Sequence, residues 1–177
     1  MHALKKRSFL RRVLRAAIAG IGLALGLTFP ADSLTVGEAQ KVTELLVTLS
    51  PDLGPFAYDE EEADRWFDGD AATDGKIAAA GFSRESWKDA VDATFRGYLA
   101  TIPADLFSER LTEPMERLEN SPSVSEEQKA EIRAWAEEQI AGTQALRAEG
   151  DAYVETVRSL AAALDAVFGT DDLVQDQ

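Results

Sequence analysis

The sequence predicts an all-α protein, a small bundle of about five to six helices preceded by a cleavable signal peptide. After residue 33, apolar residues recur at intervals of three and four, which is the period of an amphipathic helix. No run rich in Val, Ile and Thr alternates apolar with polar residues, so we predict no strand. The 177 residues are 45% hydrophobic and 28% charged, which suits one globular domain with a leader.

Residues 1–33 have the successive parts of a secretory signal. A basic stretch at 4–15 is followed by an uncharged apolar run at 16–29. Small residues before position 34 favour cleavage after Ser33, with Ala31 as an alternative cleavage point. We therefore predict a signal peptide over 1–33 and a single acidic domain over 34–177.

The leader also predicts the cellular location of the protein. An uncleaved anchor is the alternative, but 14 apolar residues reach only about 21 Å of a ~30 Å hydrocarbon layer. We expect a periplasmic or extracellular product with no stable membrane span after cleavage, and with no Cys to carry a lipid. The Sec route is favoured, although Lys6-Arg7-Ser8-Phe9-Leu10-Arg11 resembles a twin-arginine signal with Lys in place of the first Arg.

Charge and composition exclude several functions. Residues after position 33 include 12 basic and 31 acidic side chains, a net charge of −19, so we expect no nucleic-acid binding. The sequence has no Cys, and its one His is His2, in the leader. The chain beyond the leader therefore lacks a disulfide, a thiolate nucleophile, a Cys/His zinc site and a Ser-His-Asp triad.

The first predicted helix begins at Thr35, because Thr35 and Glu38 have the spacing of a capping box. Proline disfavours a helical conformation in the residue before it, so Pro51 predicts an end at Ser50. The apolar face consists of Ala39, Val42, Leu45, Leu46 and Leu49.

Two further helices are expected before the middle of the chain. A short one over Glu60–Phe67, capped by Asp59, turns Trp66 and Phe67 inward. A longer one over Ser83–Ile102 has the clearest apolar stripe in the sequence. That stripe consists of Trp87, Val91, Thr94, Phe95, Tyr98 and Ile102.

The remaining sequence predicts two helical pieces bent at Pro114 and then a long helical stretch. The pieces cover 104–111 and 113–118, because the proline lacks an amide and its ring clashes with the preceding turn. A second capping box, Ser125 with Gln128, opens the stretch that continues to Phe168.

That last stretch is too long to remain straight. Its 43 residues from 126 to 168 would measure ~65 Å, whereas a body of this size has a radius of gyration of ~14–15 Å. Gly150 is costly inside a helix and Asp151 can cap a new one, so we predict a break or sharp bend at Glu149–Asp151. From about residue 170 the chain should be a frayed acidic tail.

An acidic segment resembles part of a calcium-binding loop. Asp70, Asp74 and Gly75 have the spacing of positions 1, 5 and 6 of an EF-hand loop, and Asp68 precedes them. Ala72 and Gly81 stand where two oxygen ligands are needed. We expect at most a weak Ca²⁺ site outside the cytoplasm, with a solvated acidic loop as the other interpretation, and no other cofactor.

Two apolar features allow alternative interpretations. Nine of the twelve aromatic residues after position 33 lie between Phe56 and Phe107, and form either the bundle core or an apolar pocket. The pocket candidates are Trp66, Phe67, Trp87, Phe95 and Tyr98. A heptad-like seam in the last stretch either packs within the chain or mediates self-association. Its residues are Leu146, Tyr153, Val157, Leu160, Leu164 and Val167.

These observations favour a non-catalytic protein that acts through binding or association, with a protein partner or in a chaperone-like role. One alternative is a carrier for a small apolar ligand in the aromatic pocket. The other is a hydrolase that uses carboxylates, although no acidic residue is singled out by an apolar setting that would tune its pKa.

Overall fold

A computed structural model describes residues 34–54, 56, 58 and 61–168, so the predicted signal peptide and acidic tail lie outside the described residues. Every regular element in the described part is helical, which confirms the all-α prediction. Six helices have at least eight residues: α1 (Val36–Leu53), α2 (Glu62–Ala71), α4 (Arg84–Thr101), α5 (Ala104–Glu119), α6 (Glu126–Glu149) and α8 (Ala161–Phe168). The shorter ones are α3 (Lys76–Ala79) and α7 (Val154–Val157), and 3-10 turns cover Gly150–Tyr153 and Arg158–Leu160.

The start of α1 is as predicted, but its end is not. The Glu38 amide donates to the Thr35 hydroxyl at 3.2 Å, and the Thr35 amide donates to the Glu38 carboxylate at 2.9 Å. The five predicted face residues are all buried. The predicted end at Ser50 is wrong, because α1 continues through Pro51 to Leu53. The Ser50 hydroxyl donates to the Val47 carbonyl at 3.2 Å, where the missing proline amide would have donated.

The second helix lies further along the chain than predicted. The expected span Glu60–Phe67 is corrected to Glu62–Ala71, and the expected cap Asp59 is outside the described residues. The extension follows from burial: beyond Phe67 the helix continues to Asp70, which is only 1% exposed. The acidic segment is therefore partly helical and partly buried.

Helix α4 lies at the centre of the fold and confirms its prediction. Ser83 caps it and Ile102 ends it. It packs against α1, α2, α6 and the segment that follows α6. Trp87 is fully buried, and its indole Nε1 donates to the Ala63 carbonyl of α2 at 3.0 Å.

Helix α5 is continuous, so the predicted division at Pro114 is wrong. The proline removes one backbone hydrogen bond without ending the helix. Phe107, Leu111, Met115 and Leu118 recur at intervals of four, four and three, and all four are buried or half-buried. An unbroken helix keeps them on one side, facing α6.

The predicted break at Gly150 is confirmed, and its cause is a close contact. Helix α6 ends at Glu149 and a 3-10 turn follows. A Cβ atom at Gly150 would lie 1.9 Å from the Arg96 carbonyl oxygen of α4. Asp151 does not act as the predicted cap, since the cap position of that turn is Glu149, whose side chain makes no capping hydrogen bond.

The main core does not extend through the whole described chain. Its buried cluster runs from Leu34 to Phe107 and resumes at Leu146, and none of residues 112–145 belongs to it. Val124 and Ala136 are buried outside that cluster. Helices α5 and α6 thus form a hairpin that extends beyond the core.

Candidate functional site

The two interior tryptophans of the predicted pocket are packed against other rings. Trp66 is 2% exposed and meets Phe56 edge to face, with ring centroids 5.0 Å apart. Trp87 meets Phe82 in the same way at 5.7 Å. Phe67 is half-buried at the surface, with an Arg84 guanidinium 4.8 Å from its ring centroid.

The other two pocket candidates belong to the same cluster of rings as Trp66, because Phe56 meets Phe168 edge to face with ring centroids 5.7 Å apart. Phe95 stacks on Tyr58 with centroids 4.0 Å apart, and its edge meets Phe168 at 5.0 Å. Tyr98 also contacts Phe168, at 5.6 Å. Four of the five candidates therefore pack against other rings and Phe67 packs against a guanidinium, which favours the interpretation of these residues as core.

Tyr98 has a polar partner that ties three helices together. Its hydroxyl donates to the Asp165 carboxylate of α8 at 2.5 Å, and Arg110 of α5 donates to the same oxygen at 3.0 Å. Burial, followed by the bond to Asp165, raises the pKa of the Tyr98 phenol. The hydrogen bond from Tyr98, together with Arg110, holds the pKa of Asp165 below its usual range.

The predicted self-association seam faces the core of its own chain. Leu146, Val157 and Leu164 are buried. The other three members are half-buried against the same apolar cluster: Tyr153, Leu160 and Val167. This arrangement matches the intramolecular interpretation of the seam.

The acidic residues of the calcium hypothesis are already engaged elsewhere. Asp68 forms an ion pair with Arg84, and Asp74 lies 2.9 Å from the Lys76 ammonium. The Asp70 carboxylate accepts the backbone amides of Lys76 at 2.9 Å and Ile77 at 2.7 Å. The described residues contain no group of three or more His, Cys, Asp or Glu side chains arranged to hold a metal. The geometry therefore lends the calcium hypothesis no support.

A cavity of about 490 Å³ opens between α5 and α6, in the hairpin. We call it the hairpin cleft. Its apolar part is Met115 on one wall and Ile140 on the other, both half-buried. Its polar lining is Thr112, Glu116, Glu119, Asn120, Arg133 and Glu137.

Polar contacts close the far end of the cleft. Lys129, only 8% exposed, donates to the Glu119 carbonyl at 2.8 Å and lies 3.0 Å from the Glu126 carboxylate. Arg133 pairs with the Glu119 carboxylate at 2.5 Å. The Glu119 carbonyl is in the last turn of α5 and has no hydrogen-bond partner within the helix. The buried Lys129 ammonium supplies that partner.

A third cation fixes the end of the hairpin nearest the core. Arg147 of α6 donates to the Ile102 carbonyl, at the end of α4, at 3.0 Å. Its guanidinium also lies 5.1 Å from the Phe107 ring centroid of α5. Because the start of α6 meets the end of α5 and the end of α6 meets the start of α5, the two walls are antiparallel.

The cleft is electrostatically negative. Three glutamates and one arginine line it, a net charge of −2. Glu116 and Glu137 are exposed and have no ion-pair partner in the part of the chain that the structure describes. Across 104–149 there are 11 acidic and 5 basic residues, a net charge of −6. The cleft thus offers two carboxylates without an ion pair beside apolar side chains.

None of the cleft residues was among the sequence-predicted sites. The prediction divided α5 at Pro114 and so lost the stripe that continues through Met115. On α6, Trp135 is the largest apolar residue, yet it is 36% exposed and does not line the cleft. The sequence signal that could have found the cleft is helical spacing on two successive helices. It places positions 107, 111, 115 and 118 on one face of α5, and positions 133, 137 and 140 on one face of α6.

The fold and the cleft define an all-α protein with a helical hairpin extending from a helical core. No family model, no curated protein and no solved structure matches the chain. Among the described helices, none is long and apolar enough to cross a membrane.

Proposed function

We propose that this chain is an exported, non-catalytic helical protein that binds a protein partner at the hairpin cleft. The observation that carries the proposal is the cleft itself. It presents apolar side chains, together with carboxylates outside any ion pair of the described residues, on the parts of two helices that lie outside the main core. Export rests on the basic and apolar stretches within residues 1–33.

The alternatives draw less support from the geometry. A carrier would need space beneath Trp66, Trp87 and Phe95, where each ring instead packs against another. For a hydrolase, a carboxyl with a raised pKa would be the starting point, as general acids require. Burial and neighbouring acids raise the pKa of Asp89, but that side chain lies on the exposed face of α4.

A photo-crosslinking experiment tests the binding role. The crosslinking amino acid p-benzoylphenylalanine is placed at Thr112, which lines the cleft, and in a matched variant at Trp135. At 100° a residue, Trp135 lies about 160° around α6 from Arg133 and Glu137. We expect a single protein adduct from position 112 and none from position 135. Equal adducts, or none, would contradict the proposal.

Export is tested separately. Cell fractionation followed by mass spectrometry should find the protein outside the cytoplasm with Leu34 as its first residue. A cytoplasmic protein that retains Met1 would refute this part of the proposal and leave the binding role to be judged by the crosslinks.

A further inference from the structure

We infer that the hairpin cleft receives one helix of a partner protein, and that this helix has an apolar stripe flanked by Lys and Arg. The inference rests on the proposed function and names the chemistry of the partner. It follows from the form of the cleft, the apolar side chains in its walls and the charge around it.

The form of the cleft favours a helix as the occupant. Both walls are helices, whose backbone groups, except at Pro114, are engaged within each helix, and the described chain has no strand edge to which a partner strand could be added. The partner must therefore be recognised through side chains. Two antiparallel helices with a groove between them accept a third helix by ridge-into-groove packing.

The apolar side chains of the walls need an apolar stripe opposite them. Met115 and Ile140 are each half-buried and face the same cavity from opposite walls. An apolar stripe at helical spacing would cover both at once, and the flexible Met115 side chain can adapt to different shapes.

Charge decides the flanks of the partner helix. Glu116 stands on one wall and Glu137 on the other, so the apolar centre has an unpaired carboxylate on each side. Basic residues on both flanks of the stripe would pair with them and would be attracted from a distance by the surrounding negative charge. A second copy of this chain is disfavoured as the occupant, because its residues after position 33 have a net charge of −19 and would repel the cleft.

The test uses a probe of that chemistry. An amphipathic Leu/Lys peptide of about five helical turns, labelled for fluorescence anisotropy, is titrated with the protein at low and high salt. The comparison peptide has the same composition in scrambled order, which keeps the charge and removes the stripe. We expect saturable binding of the amphipathic peptide, at least tenfold tighter than the scrambled one, and weaker at high salt.

The variant Glu116→Gln/Glu137→Gln removes both unpaired carboxylates from the cleft. Its control, Glu131→Gln/Glu138→Gln, changes the net charge by the same amount on exposed positions of α6 that do not line the cleft. We expect about tenfold weaker binding in the first variant and less than twofold in the second. Circular dichroism of both variants confirms that each is folded.

Three results would overturn the inference. These are equal binding of the two peptides, equal loss in the two variants, and a dimer whose formation blocks the peptide. If a protein adduct forms at Thr112 and any of these three results is also obtained, the proposed function stands and only the inference of a basic partner helix is refuted. If neither the adduct nor peptide binding is observed, the proposed function and the inferred partner helix are both refuted.

Discussion

Gly150 lies directly against the backbone of Arg96. A Cβ atom at Gly150 would be 1.9 Å from the Arg96 carbonyl oxygen and 2.4 Å from its carbonyl carbon. Nearby, a Cβ atom at Gly97 would be 2.9 Å from the Tyr153 Cβ. Backbone atoms of a packed helix cannot rotate aside as the end of a side chain can. Helix α4 and the turn after α6 can therefore cross this closely only because Gly97 and Gly150 have no side chains.

Gly150→Ala should therefore be among the most damaging single substitutions. We expect it to lower the free energy of unfolding by at least ~2 kcal/mol, because the added methyl group forces α4 and the turn after α6 apart. Urea unfolding followed by circular dichroism measures the change. Gly37→Ala is the matched control: nothing lies within 4 Å of its Cβ position, and we expect no loss of stability. Similar losses in the two variants would contradict the close crossing.

Asp70→Ala should destabilise the turn between α2 and α3. The substitution leaves the amides of Lys76 and Ile77 without their acceptor, and Ile77 is fully buried. We expect a loss of about 1–3 kcal/mol in urea unfolding. Asp74→Ala, which removes an exposed ion pair, should cost less than ~0.5 kcal/mol. Calorimetric titration of both proteins with Ca²⁺ checks the calcium hypothesis at the same time.

The Asp165 carboxylate should make stability depend on pH. Its pKa is lowered in the folded protein below the ordinary value of an aspartate, first by the Tyr98 hydroxyl and then by Arg110. A depressed pKa contributes stability above the unfolded value, and this contribution is lost as the pH falls through the folded value. We expect the stability difference between wild type and Asp165→Asn to be constant from pH 7 to about pH 4.5 and to shrink below that.

The control for that prediction is Glu155→Gln, because Glu155 pairs with Arg158 at a fully exposed position. Urea midpoints of the three proteins, measured at intervals from pH 7 to about pH 3, give the comparison. A wild type that differs from Asp165→Asn equally at every pH would show that the carboxylate charge is not what joins α4, α5 and α8.

Lys129→Met should loosen the far end of the hairpin and spare the core. The variant keeps an unbranched side chain that is one atom shorter, and it removes the donor to the Glu119 carbonyl. We expect amide hydrogen exchange at the end of α5 and the start of α6 to accelerate about tenfold, with little change in α4. Arg117→Met, which breaks an exposed pair with Glu113, should leave these rates unchanged. Acceleration throughout α4 as well would mean that the hairpin and core open together.

Helix positions were predictable where local chemistry settles them. The capping boxes at Thr35 and Ser125 fix two helix starts, and the stripe from Trp87 to Ile102 fixes the central helix. The break at Gly150 was predictable from length and glycine cost, but the contact with Arg96 that requires the glycine joins residues far apart in sequence.

The errors have a common physical cause. At Pro51 and Pro114 the local penalty of proline predicts an interruption of the helix, whereas packing on both sides maintains it. The cleft was missed for a related reason. Its walls are recognisable only when α5 is continuous and lies beside α6, and spacing along the chain does not show which carboxylates then remain unpaired.

The hairpin is anchored at one end. With 24 residues, α6 is about 36 Å long, and its only member in the main core is Leu146, close to its last turn. A rotation of about 5° at that anchor would displace the opposite end by ~3 Å. A movement of the far end of the hairpin would therefore act on the contact between Gly150 and the Arg96 backbone. Binding at the far end would in this way be coupled to the position of α4.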